Sequence, residues 1–242
     1  MDAIETKGLT KRFGELTAVD RLSLTVQQGE LFALLGVNGA GKTTTIRMLC
    51  CLIRPDDGDA LIEGDSILQD SKAVKQKIAL SPQETAVAPN LTVRENLLLM
   101  AGVYGITGRE AEQKLVELSE QLGLSAVLNK RAGKLSGGYM RRLSIAMALI
   151  SNPSVLFLDE PTLGLDVIAR SELWEVIRAL SGMVTVILTT HYMEEAEALS
   201  DRVGIMRDGR LLMVGTPQEI KEKAGTDKFE DAFLRVVKGE VE

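Results

Sequence analysis

Gly36-Val37-Asn38-Gly39-Ala40-Gly41-Lys42-Thr43 is the most specific motif of the chain. It fits the pattern of Gly, four residues, then Gly-Lys-Thr, which cradles phosphate. The glycines let backbone N–H groups converge on phosphate oxygens. A helix N-terminus at Lys42, Thr43 and Thr44 adds a favourable dipole. Lys42 suits β- and γ-phosphates, and the Thr43 hydroxyl suits Mg²⁺. A chance glycine-rich turn would lack the right flanks. Here residues 31–35 read as a strand and residues 45–52 as a helix, stopped by the turn Pro55-Asp56-Asp57-Gly58.

Further out, residues 22–26 read as another strand, joined through the turn Gln27-Gln28-Gly29. Val155-Leu156-Phe157-Leu158-Asp159-Glu160 is a buried-type strand ending in two acids. That places the carboxylates at the carboxyl edge of a sheet, where ligands bind. Asp159 suits a water-mediated Mg²⁺ contact, and Glu160 suits a general base or a water-positioning group. Taken alone, the run could equally be a core strand entering a turn. Leu173, Val176, Ile177 and Leu180 mark an amphipathic helix before a strand at 184–188, which makes a parallel crossover.

Between these parts, residues 85–150 read as helical. Thr92-Val93-Arg94-Glu95 has capping-box spacing, and Thr107-Gly108-Arg109-Glu110 repeats it. Ala111, Leu115, Leu118 and Leu122 follow on one face, and Gly123 ends that helix. Leu135-Ser136-Gly137-Gly138 opens a third helix, and its exposed amides form a second anion site. Arg207-Asp208-Gly209-Arg210 carries a hairpin signature, and Thr216-Pro217-Gln218-Glu219 opens a short helix. In the tail, Phe229, Phe233, Leu234 and Val237 form a candidate docking stripe. The plan is an α/β core interrupted by a helical insert.

Composition narrows the function classes. The chain has 242 residues, 45% hydrophobic and 26% charged, enough to bury a core without disulfides or metals. No run approaches the roughly 20 apolar residues of a membrane helix. The opening MDAIETKGLTKRF lacks an apolar leader, so secretion is not expected. Cys50 and Cys51 are adjacent and cannot form a disulfide framework, which points to a reducing compartment. They read as packed hydrophobes rather than redox sensors. One histidine, His191, and two neighbouring cysteines exclude a His/Cys zinc site within one chain. A net charge of −6 argues against nucleic acid as a partner.

On Leu135-Ser136-Gly137-Gly138, the phosphate loop and the acidic pair together, the sequence resembles the ATP-binding-cassette (ABC) ATPases over nearly its whole length. The resemblance implies an α/β P-loop NTPase fold: a RecA-like core, an N-terminal antiparallel β subdomain and an inserted α-helical subdomain. It implies one ABC ATPase domain over residues 1–242. Residues 1–84 and 151–216 make the core, 85–150 the helical signature subdomain and 217–242 the C-terminal helical tail.

Site roles follow from the same resemblance. ATP falls to Phe13, which stacks on adenine, to Val19, and to Gly36 through Thr44. Lys42, Gln83, Glu160 and His191 are the catalytic set, with His191 as the switch that reads the γ-phosphate. Mg²⁺ falls to Thr43, Gln83 and, through water, Asp159. Leu135, Ser136, Gly137 and Gly138 face the ATP of a partner copy, and Asp166 lies on the loop crossing that interface. The implied assembly is a head-to-tail homodimer around two ATP and Mg²⁺. It is bound to integral membrane permease subunits on the cytoplasmic face of the cell membrane, with residues 85–90 lining that contact. The segment 214–217 and the tail resemble the exporter branch that includes drug-resistance, antibiotic and NatA-like sodium-extrusion ATPases. One departure stands out: Tyr139 replaces the family's Gln at the fifth signature position, and activity is expected to survive it. Arg141 and Arg142 read as a solvated helix face. Two alternatives stay open: a soluble ABC ATPase of repair or translation, and a low-turnover regulatory ATP-binding module.

Overall fold

The structure is a computed structural model describing residues 1–241. The chain opens with strands β1 (Asp2–Phe13), β2 (Leu16–Gln27) and β3 (Leu31–Gly36), then helix α1 (Lys42–Leu49). Strands β4 (Asp57–Ile62) and β5 (Asp65–Ser66), helix α2 (Ser71–Lys77) and strand β6 (Ile78–Ser81) follow. Next come helices α3 (Val93–Val103), α4 (Gly108–Gln121) and α5 (Gly137–Leu149). Strand β7 (Val155–Asp159), helix α6 (Val167–Arg178), strand β8 (Thr185–Thr190) and helix α7 (Met193–Leu199) return to the core. The chain closes with β9 (Arg202–Arg207), β10 (Arg210–Gly215), α8 (Pro217–Ala224) and α9 (Phe229–Lys238).

Two sheets result. The larger has strand order β10-β9-β3-β8-β7-β6, with every neighbouring pair parallel except the β9–β10 hairpin. The smaller is antiparallel, in the order β2-β1-β4-β5. Strands β3, β7 and β8 are buried along their whole length, as parallel strands covered on both faces must be. Their side chains alternate between two cores. Phe32, Leu34, Phe157 and Ile187 pack with Val19, Leu22, Ile46 and Ile62 under the antiparallel sheet. Leu31, Ala33, Leu35, Leu156, Leu158 and Leu188 pack instead with Leu97, Leu115, Leu143, Leu173 and Phe229 from the helices.

Several local readings change. Helix α1 ends at Leu49, before the turn at 55–58, and Cys51 leaves it at φ 54°. Asp57 and Gly58 lie in β4, because pairing with β1 overrides their turn chemistry. Thr92 does form the capping box with Glu95, but Thr107 makes no side-chain cap. In the tail, Phe229, Ala232, Phe233 and Val236 are buried, whereas Leu234 is exposed. The stripe follows the i, i+3, i+4, i+7 spacing that one helix face imposes. Cys50 is buried and Cys51 half-buried, and burial pushes both thiols upward, away from the reactive thiolate.

Helix α8 starts with a full capping box. The Thr216 amide donates to Glu219 Oε2 at 2.8 Å, and the Glu219 amide donates to Thr216 Oγ1 at 3.1 Å. Thr216→Ala removes that acceptor and is expected to cost about 1 kcal/mol in a denaturant melt.

Candidate nucleotide site

Strand β3 ends at Gly36 because no side chain fits there. A Cβ would stand 2.4 Å from the Met206 carbonyl oxygen and 2.9 Å from Ala40 Cβ. Gly41 closes the loop at φ 102°, where a Cβ would meet the Ala18 carbonyl oxygen at 2.4 Å. Helix α1 starts at the next residue, Lys42. The β9–β10 turn supports the loop from below: the Gly209 amide donates to the Ala40 carbonyl at 3.1 Å.

Lys42 is only 5% exposed. Its Nζ donates to the carbonyls of Gly36 at 2.7 Å and Val37 at 3.3 Å, and stands 3.3 Å from Glu160 Oε1. The other Glu160 oxygen lies 2.7 Å from His191 Nδ1. Lys42, Glu160 and His191 come from three separate elements and meet at one carboxylate. A buried ammonium and a buried carboxylate each need such partners, because desolvation of either alone costs several kcal/mol.

Glu160 adopts φ 49°, the left-handed region, which costs a non-glycine residue on the order of 1 kcal/mol or more. Its amide donates to both the hydroxyl (3.0 Å) and the carbonyl (3.1 Å) of Thr189. The Thr189 hydroxyl in turn donates to Asp159 Oδ1 at 2.6 Å, and Thr43 Oγ1 donates to the same oxygen at 3.0 Å. Thr189 thus orients both acids. Sequence reading missed it; the signal was a polar pair, Thr189-Thr190, ending an otherwise apolar strand.

These groups face a cleft of about 650 Å³. Phe13, Gln83, Glu160, His191 and every loop residue from Asn38 to Thr44 border it. Gly36 lies beneath the loop, and Val37 presents its carbonyl to Lys42. Leu16, Thr17, Ala18, Leu163 and Asp208 complete the wall. Val19 does not reach the cleft. It is fully buried beneath Gly41, and the three residues before it, Leu16, Thr17 and Ala18, take the cleft side.

Thr43, Gln83 and Asp159 border an adjoining groove of about 370 Å³. Their hydroxyl, amide and carboxylate oxygens are hard donors. Mg²⁺ takes one or two such protein oxygens and completes its shell with water and phosphate, so the set fits that ion. The loop fits a polyphosphate: Gly39 sits at φ 83° with open space where a side chain would be.

Leu135, Ser136, Gly137 and Gly138 stand away from this cleft. Ser136 caps α5 without spending its hydroxyl on the helix. A Cβ on Gly137 would lie 3.1 Å from Leu165, and one on Gly138 would lie 3.2 Å from Ala169, so the glycines let α5 lie against the start of α6. Asp166 is exposed and caps α6, accepting from the Ala169 amide at 2.9 Å. Tyr139 is partly buried with the Arg142 guanidinium 5.5 Å from its ring, and Arg142 pairs with Glu172 at 2.6 Å. Arg141 is 6% exposed, so the two arginines are not a solvated face.

One further acid lies behind the site. Glu195 is fully buried, and the Trp174 indole donates to its Oε1 at 3.1 Å. Burial pushes its carboxyl upward, and the charge of Glu160 adds to that. The facing hydroxyls of Thr190 and Thr162 oppose the shift, although Oε2 reaches no hydrogen-bond partner among the described residues.

A family model described as ABC transporter matches residues 19–163, more than half of the chain. A second model, described as an AAA domain, matches residues 133–195. The daunorubicin/doxorubicin resistance ATP-binding protein DrrA of Streptomyces peucetius is 41% identical over 226 residues, 93% of this chain and 68% of that one. The "Probable multidrug ABC transporter ATP-binding protein YbhF" of Escherichia coli (strain K12) is 40% identical over 97% of this chain, which spans only 41% of that protein. A solved structure, described as the ATP binding subunit of an ABC transporter, superposes with a TM-score of 0.84 at 28% identity, covering 97% of this chain and 99% of that one. No helix among the described residues is long and apolar enough to cross a membrane. Loop, acids and similarity over most of this chain agree, and the chain belongs to the ABC transporter family.

Proposed function

We propose that this chain hydrolyses ATP as the motor of an exporter, with two copies closing head to tail on two nucleotides and driving separate membrane subunits. The observation that carries the reading is the convergence of Lys42 and His191 on the two oxygens of Glu160, beside the phosphate loop.

Lys42 holds the terminal phosphates, and Phe13, about half exposed at the cleft edge, offers its face to a base. When phosphate takes over Lys42, Glu160 is released to accept the proton of an attacking water. His191 keeps the Glu160 carboxylate oriented and senses the γ-phosphate. Gln83 stands at the cleft edge to position the water. Mg²⁺, held by Thr43, Gln83 and the water-linked Asp159, supplies charge neutralisation to the phosphates.

The dimer reading rests on the signature. Its free helix start has no phosphate in its own chain to meet. Next to Asp166, the apolar side chains of Val167 and Ile168 are 77% and 73% exposed, a surface suited to cover by a second copy. The outer part of the groove beside Gln83, bounded by Arg47, Leu52, Leu80 and Glu84, is the proposed seat of a permease segment, and residues 85–90, which follow Glu84 in the chain, are proposed to share that contact. Relatives named for daunorubicin resistance and for Nod factor export support export as the direction. The proposed location is the cytoplasmic face of the membrane, as a peripheral subunit. The cargo is set by the membrane chains.

The test is phosphate release by the purified chain and by its His191→Ala variant. His191→Ala is expected to lower turnover on the order of 100-fold. Near-normal turnover would return His191 to a structural role and remove the observation on which the reading stands.

A further inference from the structure

We propose that Arg141 is a positioning residue that ties Gln83 to the signature helix. The proposal rests on the reading of Gln83 as the group that positions water.

Arg141 lies on the second turn of α5, whose first residues are Gly137 and Gly138. Its guanidinium is turned inward. Nη1 donates to the Pro82 carbonyl at 2.9 Å, and Nη2 donates to the Gln83 carbonyl at 3.0 Å. One turn further along α5, Ser144 Oγ lies 2.9 Å from Ser81 Oγ in a buried contact. Residues 81, 82 and 83 are therefore each held by the same face of one helix. Gln83 follows directly on β6 and Pro82, and its exposed side chain borders both the nucleotide cleft and the adjoining groove.

Burying a guanidinium is costly, and an aliphatic side chain would fill the same space more cheaply. Burial pulls the Arg141 ionisation downward, and the charges of Asp159 and Glu195 oppose that pull only in part. The two carbonyls have their bonds from a rigid, planar donor pair, which fixes direction as well as distance. A flexible loop residue thereby becomes part of the α5 body. Any displacement of Ser136 and Gly138 on meeting a ligand reaches Gln83 of the same chain through Arg141. The sequence offered no hint of this, since Arg141-Arg142 at a helix surface has the pattern of solvated charge.

The experiment is a double-mutant cycle on steady-state ATP turnover of the full chain, using Arg141→Met, Gln83→Ala and the pair. Arg141→Met is expected to lower kcat on the order of 10- to 100-fold, with KM changed less than about threefold, because it misplaces a group rather than removing a phosphate contact. Arg141→Lys, with one donor head for two carbonyls, is expected to fall between wild type and Met. In the Gln83→Ala background, Arg141→Met is expected to cost less than about twofold more.

A normal kcat for Arg141→Met overturns the proposal. So does an equal loss with and without Gln83, which would mean that Arg141 merely supports the fold. A normal kcat for Gln83→Ala overturns the reading of Gln83 itself, and the proposal with it. If the Met variant does not fold, the Lys variant carries the same cycle: an undiminished loss in the Gln83→Ala background overturns the proposal.

Discussion

Glu160→Gln is expected to reduce ATP turnover on the order of 10²- to 10⁴-fold while nucleotide stays bound. The two side chains have nearly the same shape, so the cleft is preserved. The amide cannot take a proton from water, so the chemical step loses its base. The backbone at residue 160 is held independently of its side chain. Its φ of 49° is held by two bonds from its amide to Thr189, and these do not depend on the side chain. The variant therefore isolates the carboxylate. It also removes the negative partner of Lys42, which stands 3.3 Å away, and leaves that ammonium free for phosphate. Binding is thus expected to be equal or tighter. Phosphate release and equilibrium binding of a fluorescent nucleotide measure the two separately. Turnover within about tenfold of wild type would remove Glu160 from the role of base.

Lys42→Ala is expected to lose nucleotide binding almost entirely. Among the described residues, Lys42 is the one lysine or arginine bordering the cleft, and charge-assisted hydrogen bonds to phosphate are each worth about 1.5–3 kcal/mol. Two further losses follow. The Gly36 carbonyl loses its donor, and Glu160, 6% exposed, keeps only His191 as a partner. Breaking a buried pair by removing one partner costs about 3–5 kcal/mol. The variant is therefore expected to melt earlier than wild type even without ligand. Melting curves with and without ATP and Mg²⁺ read both effects. Wild type is expected to gain stability by about 2.7 kcal/mol when ligand reaches about 100 times its Kd, and Lys42→Ala to gain none. An ATP-dependent shift of wild-type size in Lys42→Ala would overturn the assignment.

The parts that sequence revealed share a physical character. The phosphate loop, β3, β7 and β8 are governed by local rules: glycine spacing, unbroken apolar runs and acids at a strand end. The hairpin at 207–210 and the cap at Thr216 are equally local, and both stand in the structure. The misreadings occurred where a distant partner overrides a local pattern. Asp57 and Gly58 have turn chemistry, but Asp57 pairs with Thr10 of β1 and Gly58 lies beside it within β4. Arg141 has surface chemistry but is turned onto the carbonyls of residues some sixty positions earlier in the chain. Val19 packs beneath Gly41 in the core while Ala18 beside it borders the cleft, a difference that only the folded position of the strand end decides. Leu234 and Val236 differ only by helical phase. Thr189 escaped notice because a threonine ending a β-strand is ordinary until the two acids beside it are placed.

In the proposed dimer the site is completed by a second copy, whose Ser136 and Gly138 meet the phosphate held by Lys42. The direct measurement is the molar mass of the Glu160→Gln protein in solution, by light scattering after size exclusion, with and without ATP and Mg²⁺. A monomer is expected without nucleotide and a dimer with it, and Lys42→Ala added to Glu160→Gln is expected to restore the monomer. A protein that stays monomeric in saturating ATP and Mg²⁺, at concentrations where nucleotide is demonstrably bound, would contradict the proposed dimer.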